Sequence, residues 1–283
     1  GRWSDTGRRG RRTGGAPARQ YPPVLPSVQP GRQTLLLDAG WKFHLGNAAS
    51  ADEDFGFGAD NAFAKAGGGT EAAEVSFDDS EWRTVDLPHD WAVETGFEHV
   101  DNSSLHDHGF KQVGRLFPAT TVGWYRRSFK VPAADRGKSL TVRFDGVYRD
   151  CIVWINGHFL GRNFSGYNEF RYDITDYVLY DRKNVLTVRV DASQTEGWFY
   201  EGAGIYRHAW LLKQSSVHVA PYGTYVTTDV GANDATVHVE TRILNRQGQA
   251  QAVRLYSEIV DEKGRSVGGP TIRRDSLRAF AER

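Results

Sequence analysis

From Leu35 onward, apolar and polar positions alternate with a period of two over short stretches, the spacing of side chains on strands that bury one face. Leu140, Val142 and Phe144 alternate with Thr141, Arg143 and Asp145, and Leu186, Val188 and Val190 alternate with Thr187 and Arg189. Each run predicts a half-buried strand. Between them, Cys151 to Ile155 is apolar throughout and predicts a more fully buried strand. Asn156-Gly157 follows, the dipeptide best suited to a type I′ hairpin turn, with Phe159 and Leu160 on the return strand. Long amphipathic helical periods are absent from the pattern, so the expected class is all-β.

Turn residues and composition divide the chain. Residues 1–32 are rich in Gly, Arg and Pro, include Arg8-Arg9-Gly10-Arg11-Arg12 and show no hydrophobic period, which predicts a disordered basic tail. Without interleaved aromatics or a folded reader, that run predicts a solvated tail and no nucleic-acid partner. Residues 33–214 carry the main series of strands. A second series opens near Ser215, with Val237, Val239 and Ile243 alternating with polar residues and another strand over Arg254 to Val260. Only about four strands fit into residues 215–283, whereas an immunoglobulin-like sandwich needs about seven; the expectation is an incomplete second domain. Two long loops, Gly46 to Gly69 with scattered Phe residues and Gly96 to Pro118 with His99, His106 and His108, are the places where a β scaffold usually carries function.

Composition narrows the partners. The 283 residues hold 35 Lys and Arg against 35 Asp and Glu, so no global field draws in nucleic acid or an anionic membrane. Cys151 is the single cysteine, which excludes an internal disulfide and a cysteine zinc cluster and fits a reducing compartment. No apolar run approaches the ~20 residues of a membrane helix, and the start lacks a secretory core. A soluble protein of the bacterial cytoplasm or periplasm is expected. The absence of Met predicts a piece of a longer protein.

The segment Trp198 to Trp210 crowds aromatics, glycines and charges together. Aromatic faces stack on pyranose C–H surfaces and charged groups take up hydroxyls, so the composition suits a sugar; it equally suits sandwich packing. His106-Asp107-His108 lacks a third spaced metal ligand and reads as loop. Gly67-Gly68-Gly69 lacks the Lys and Ser/Thr of a phosphate loop. Neither cofactor nor metal is expected.

Several motifs in fixed order carry a resemblance: Leu87-Pro88-His89-Asp90-Trp91, Gly123-Trp124-Tyr125-Arg126-Arg127-Ser128-Phe129, Phe144-Asp145-Gly146-Val147, Val153-Trp154-Ile155-Asn156-Gly157-His158, Tyr172-Asp173-Ile174-Thr175 and Gly202-Ala203-Gly204-Ile205-Tyr206-Arg207. Together they resemble glycoside hydrolase family 2 over residues from about 34 to 260. The resemblance implies a galactose-binding-like jelly-roll, then an immunoglobulin-like sandwich, then a (β/α)₈ barrel that this chain lacks. It implies retaining hydrolysis by two Glu residues of that barrel about 5 Å apart, so no catalytic residue is assigned in this chain. The implied function is that of the N-terminal, non-catalytic part of an exo-β-glycosidase most like a β-galactosidase, inactive alone. A stand-alone carbohydrate-binding module or lectin-like protein is the rival. Implied partners are a β-galactoside or related carbohydrate and the barrel of the same protein, with a homo-oligomer left open.

In similar proteins a jelly-roll loop lends an Asp to the sugar hydroxyls, and the matching position here is Asp191, at the end of the Val185 to Val190 strand. The same residue could instead end its strand by capping a turn. Asn102 is the second candidate sugar contact. Asp90 could face a sugar or bond local backbone amides with Trp91 in the core. Arg207 is expected to be a buried or interfacial salt-bridge residue that fixes the Gly-rich turn, and Trp154, Trp198 and Trp210 to serve core or interdomain packing. With Asp191 beside it, the aromatic segment reads as a packed seam behind the sugar-facing loop.

Overall fold

A computed structural model of the chain describes residues 4–6, 31–58, 70–99, 109–194 and 200–281. Their regular elements are strands and short 3₁₀ turns. In chain order the strands are β1 Ser4–Thr6, β2 Arg32–Leu36, β3 Trp41–Leu45, β4 Arg83–Val85, β5 Phe97–His99, β6 Gly109–Lys111, β7 Val122–Lys130, β8 Lys138–Phe144, β9 Cys151–Ile155, β10 His158–Asn163, β11 Phe170–Asp173, β12 Lys183–Asp191, β13 Ala209–Ser215, β14 Val217–Val230, β15 Ala235–Asn245, β16 Gln251–Ser257 and β17 Thr271–Leu277. The chain divides into two units, residues 33–213 and residues 1–32 with 214–283.

The larger unit is a sandwich. A six-stranded sheet in the order β10-β9-β12-β7-β3-β4 faces a four-stranded sheet in the order β11-β8-β13-β2. Between them lies the main core, which includes Trp41, Tyr125, Leu140, Val142, Phe144, Val153, Leu186, Val188 and Ile205. The residues expected on the inner face of β8 and β12 are there, all at 1% exposure or less. Asn156 and Gly157 have φ of 52° and 82°, as the type I′ turn requires, and β9 and β10 pair as its hairpin.

Full burial of β9 has a second cause. The other face of the six-stranded sheet carries its own aromatic cluster, in which Trp124 and Trp154 stack with ring centroids 5.7 Å apart. Segments 46–58 and 70–82 form a lid over that face. Phe55, Phe57, Phe77 and Trp82 supply the aromatics of this third layer. The Gly46 to Gly69 loop, expected as a functional loop, therefore does packing work over its described part, residues 46–58. Alternation along β7 and β12 turns Arg126 and Arg189 onto the same buried face. Arg189 Nε and Nη2 donate to Asp54 Oδ2 at 2.9 and 2.7 Å, while Trp124 Nε1 donates to Asp54 Oδ1 at 2.6 Å. Arg126 Nε donates to Asp79 at 2.8 Å, and its other nitrogens donate to the carbonyls of Ala72 and Glu74.

In the second unit, β1, β15 and β14 form one sheet and β16 and β17 another. Here the tail expectation is corrected at one point: Ser4–Thr6 pairs with β15, Asp5 opposite Val239. An edge strand presents unpaired N–H and C=O groups to any extended segment, irrespective of that segment's hydrophobicity. Residues 7–30 lie outside the described residues. Strands β14, β15 and β16 and the chain between β16 and β17 line an open groove of about 830 Å³ that includes Val219, Val226, Val239, Leu255 and Ile259.

Candidate functional site

Asp191 is the last residue of β12, in register with Val122 of β7. Its amide donates to the carbonyls of Arg149 and Asp150 at 3.1 and 3.3 Å, which ties the strand end to the turn after Val147. Its carboxylate Oδ1 accepts from the Ser193 amide at 3.0 Å, and Oδ2 lies 3.5 Å from Arg189 Nη1. The turn-capping role is thus occupied by one oxygen. The side chain is 23% exposed, with Oδ2 facing the Arg189 guanidinium. Neighbouring Asp150 takes both Nε and Nη2 of Arg162 at 2.5 and 2.6 Å, and this bidentate contact raises the pKa of Arg162.

Asn102, like His106, Asp107, His108 and Trp198, lies outside the described residues. The flanking strands β5 and β6 pair as a ribbon, Phe97 opposite Lys111 and His99 opposite Gly109. Chain leaving β6 turns through Val113 to Phe117 and meets the loop that follows Asp191. Arg115 Nη2 donates to Gln194 Oε1 at 2.8 Å, and together with Phe110, Leu116, Phe117 and Ser193 they line a cleft of about 410 Å³. The structure thus brings the Asp191 loop to the foot of the ribbon whose connection contains Asn102. Arg115 and Gln194 escaped the sequence reading, because neither belongs to a strand period or a motif and their meeting spans the fold.

The aromatic segment packs as a seam over its described residues. Ala203 and Ile205 have no exposed surface. Gly204 pairs with Tyr148 through two backbone bonds of 2.7 and 2.8 Å on one side, and the amides of His89 and Trp91 donate to the carbonyls of Ile205 and Ala203, both at 2.9 Å, on the other. Asp90 locks the arrangement, since Oδ1 accepts from the amides of Ala92 and Ala203 at 2.9 and 2.8 Å and Oδ2 accepts from the Tyr200 hydroxyl at 2.5 Å. Burial and then the Asp90 carboxylate push the Tyr200 phenol far above its ordinary pKa. Asp90 is therefore the amide-bonding residue of the two alternatives, with Trp91 in the core at 2% exposure.

The buried reading of Arg207 is corrected. It is exposed, and its Cδ fills the space that a side chain on Gly146 would need. Asp90, not Arg207, fixes the turn, because only Asp90 lies where the two inward-facing backbone amides converge. Trp154 is core, and Trp210 is half-buried with Nε1 donating to Asp145 at 2.8 Å and Arg143 over its ring. Replacing Asp90 with Ala leaves the buried Ala203 amide without its side-chain acceptor. The expected cost is about 1–3 kcal/mol, read by urea unfolding, with faster amide exchange confined to residues 200–205.

Among the described residues no group of His, Cys, Asp and Glu could hold a metal ion, and no helix is long and apolar enough to cross a membrane.

Residues 36–215 match the family model described as "Glycosyl hydrolases family 2, sugar binding domain". A β-galactosidase of Bacteroides ovatus is 39% identical over 238 residues, which cover 83% of this chain and 25% of that protein. A putative β-glucuronidase of Formosa agariphila is 30% identical over 201 residues, 69% of this chain and 18% of that protein. The crystal structure of a glycosyl hydrolase family 2 member from Bacteroides cellulosilyticus superposes with a TM-score of 0.68 at 31% identity, over 89% of this chain and 30% of that one. This chain thus spans about a quarter of the length of such relatives. Both the matched span and the sandwich geometry lead to one assignment: the chain belongs to glycoside hydrolase family 2, with residues 36–215 as its sugar-binding domain.

Proposed function

We propose that this chain is the N-terminal, non-catalytic part of a retaining exo-β-glycosidase most like a β-galactosidase, and that it shapes the mouth of a sugar site. In this reading residues 33–214 are the jelly-roll and residues 215–283 belong to an immunoglobulin-like sandwich. Hydrolysis is carried out by two Glu residues of a barrel outside this chain. Asp191 and Asn102 reach the sugar, and the chain alone turns nothing over. The observation that supports this most is the partly exposed Asp191 carboxylate, oriented by the Ser193 amide on Oδ1 and by Arg189 on Oδ2, two residues before the Ser193 that lines the Arg115–Gln194 cleft. A carboxylate oriented by an amide on one oxygen and a guanidinium on the other accepts a sugar hydroxyl on a remaining lone pair at a set angle, which favours one hydroxyl orientation.

Asp191→Asn keeps an oxygen for the Ser193 amide and removes the charge that faces the sugar. In the full-length enzyme the expected result is a loss of about 10- to 100-fold in kcat/KM for aryl β-galactoside, the range of one hydrogen bond to a charged group. Discrimination against the deoxy glycoside lacking the contacted hydroxyl should shrink by the same factor. An unchanged kcat/KM removes Asp191 from the sugar site. Nitrophenol release by the 283-residue chain alone would overturn the non-catalytic reading, and tight glycan binding by that chain without any barrel would favour the stand-alone binding module.

A further inference from the structure

Asn156-Gly157 is the one Asn-Gly pair in the chain, the dipeptide in which an asparagine side chain is most open to attack by its own backbone. With no Cβ on the following residue, nothing crowds the approach of the Gly157 nitrogen to the Asn156 side-chain carbonyl carbon. In the fold that side chain is held from three directions. Its Oδ1 accepts from the Val185 amide at 2.9 Å, and its Nδ2 donates to the Tyr177 carbonyl and to Asn184 Oδ1, both at 2.9 Å. The backbone amide of Asn156 donates to the Val185 carbonyl at 2.9 Å, so backbone and carboxamide together continue the pairing of β9 with β12 past Ile155.

Asn184 keeps this hold rigid. It has no exposed surface, its Oδ1 also accepts from the Leu179 amide at 2.8 Å, and its Nδ2 donates to the Leu179 carbonyl at 2.9 Å. Only one orientation of the Asn156 carboxamide satisfies these partners: exchanging O and N would set its nitrogen against the Val185 N–H and its oxygen against two acceptors. Asn156 and Gly157 are themselves only half-buried. Water therefore reaches the turn, and what the fold withholds is the freedom of the side chain to rotate.

We propose that Asn156 is a modification site that the native hairpin masks and unfolding opens, and that its modification blocks return to the native hairpin. The first step is intramolecular. Once the side chain is released, the Gly157 nitrogen bonds to Asn156 Cγ as the Cγ–Nδ2 bond breaks. Nδ2 leaves as ammonia, taking up the proton that Gly157 gives up, and a succinimide ring remains. Water then opens the ring at either carbonyl and leaves aspartate or isoaspartate at this position. Neither product fits. Aspartate sets a second carboxylate oxygen, with no hydrogen to donate, against the Tyr177 carbonyl and Asn184 Oδ1. Isoaspartate routes the main chain through the side chain, which adds a methylene to a turn built on two residues of positive φ. The inference rests on this hairpin alone and stands whichever glycoside the protein meets.

The test follows the tryptic peptide 150–162, which holds no other amide side chain, by mass spectrometry of the full 283-residue chain kept at pH 8 and 37 °C. One sample stays folded and the other is held in guanidinium chloride. In the unfolded chain this peptide should exchange its side-chain NH₂ for OH. In the folded chain the reaction waits for three hydrogen bonds to open together, so conversion should be about 100-fold slower. On dilution from denaturant, the fraction that refolds should fall in step with the fraction converted, and the refolded pool should carry unconverted Asn156. Asn184→Ala removes one acceptor from the Asn156 carboxamide, and its folded form should convert about tenfold faster than the folded unsubstituted chain. Should that variant fail to fold, the unsubstituted chain alone decides. Equal conversion of the folded and unfolded chain, or of the two folded proteins, overturns the mask. Converted chains that refold as readily as unconverted ones overturn the block.

Discussion

Arg189→Leu should be among the most damaging single substitutions in the larger unit, lowering its stability by about 3–5 kcal/mol, because it strands the Asp54 carboxylate at 2% exposure. Asp54 is held by two guanidinium nitrogens on Oδ2 and by the Trp124 indole on Oδ1. Even with Arg189 present, burial raises the pKa of Asp54, and the guanidinium offsets only part of that. Without the cation the carboxyl is driven further toward its protonated form. A carboxyl whose folded pKa lies above its unfolded value gives stability that is present at low pH and lost as pH rises through the folded value. The deficit of the variant in urea melts should therefore be largest at neutral pH and shrink on acidification. Equal deficits at pH 7.5 and 5 would show that Asp54 is not the stranded group.

Asp54→Leu combined with Arg189→Leu should be milder than Arg189→Leu alone, since both charges leave the interior together. The pair of leucines still orphans the Trp124 indole N–H, which keeps a residual cost of about 1–3 kcal/mol. The lid of segments 46–58 and 70–82 is thus held by charge pairs at a face that the strand pattern reads as ordinary polar positions. Arg126 repeats the design on Asp79 and the carbonyls of Ala72 and Glu74.

This lid marks where the sequence stops being informative. Period-two alternation places Leu186, Val188 and Val190 inward, and it places Thr187 and Arg189 on the opposite face without saying what covers that face. Phe55, Phe57 and Phe77 sit among Ala, Gly and Asp with no period, so only the folded chain shows them packed on Trp124, Trp154 and Trp82. The hairpin at Asn156-Gly157 was legible because two residues with positive φ suffice to specify it. Asp191 was legible as a strand end. Its contact with Ser193, and the meeting of Arg115 with Gln194, depend on loops brought together across 79 residues of chain, which no local pattern encodes. Asp90 shows the same limit: the sequence places it at a turn before Trp91, whereas its partners at Tyr200 and Ala203 are 110 and 113 residues away.

Gly204→Ala is the second substitution with a large expected effect, and it separates two costs that usually travel together. Gly204 has φ of +127°, a conformation that side chains disfavour by about 1–3 kcal/mol. A Cβ there would also stand 2.5 Å from the His89 carbonyl and 3.2 Å from the Trp91 ring, and would collide with the Tyr125 hydroxyl. The backbone cannot retreat, because both Gly204 hydrogen bonds to Tyr148 hold it from the opposite side. Gly264 supplies the comparison: its φ is +74° and a Cβ there meets nothing within 4 Å. Gly264→Ala should cost about 1 kcal/mol from the backbone alone, whereas Gly204→Ala should cost about 3 kcal/mol or more as overpacking adds to strain. Because a Cβ on Gly204 would displace the segment that pairs with Tyr148, the damage should also appear as lost protection of the Gly204 amide, which donates to the Tyr148 carbonyl at 2.7 Å. Thermal melts of both variants decide the matter. Equal losses would mean that the seam yields around the new methyl, and the Gly202 to Ile205 segment would then be a soft strap instead of the rigid junction that its paired amides describe.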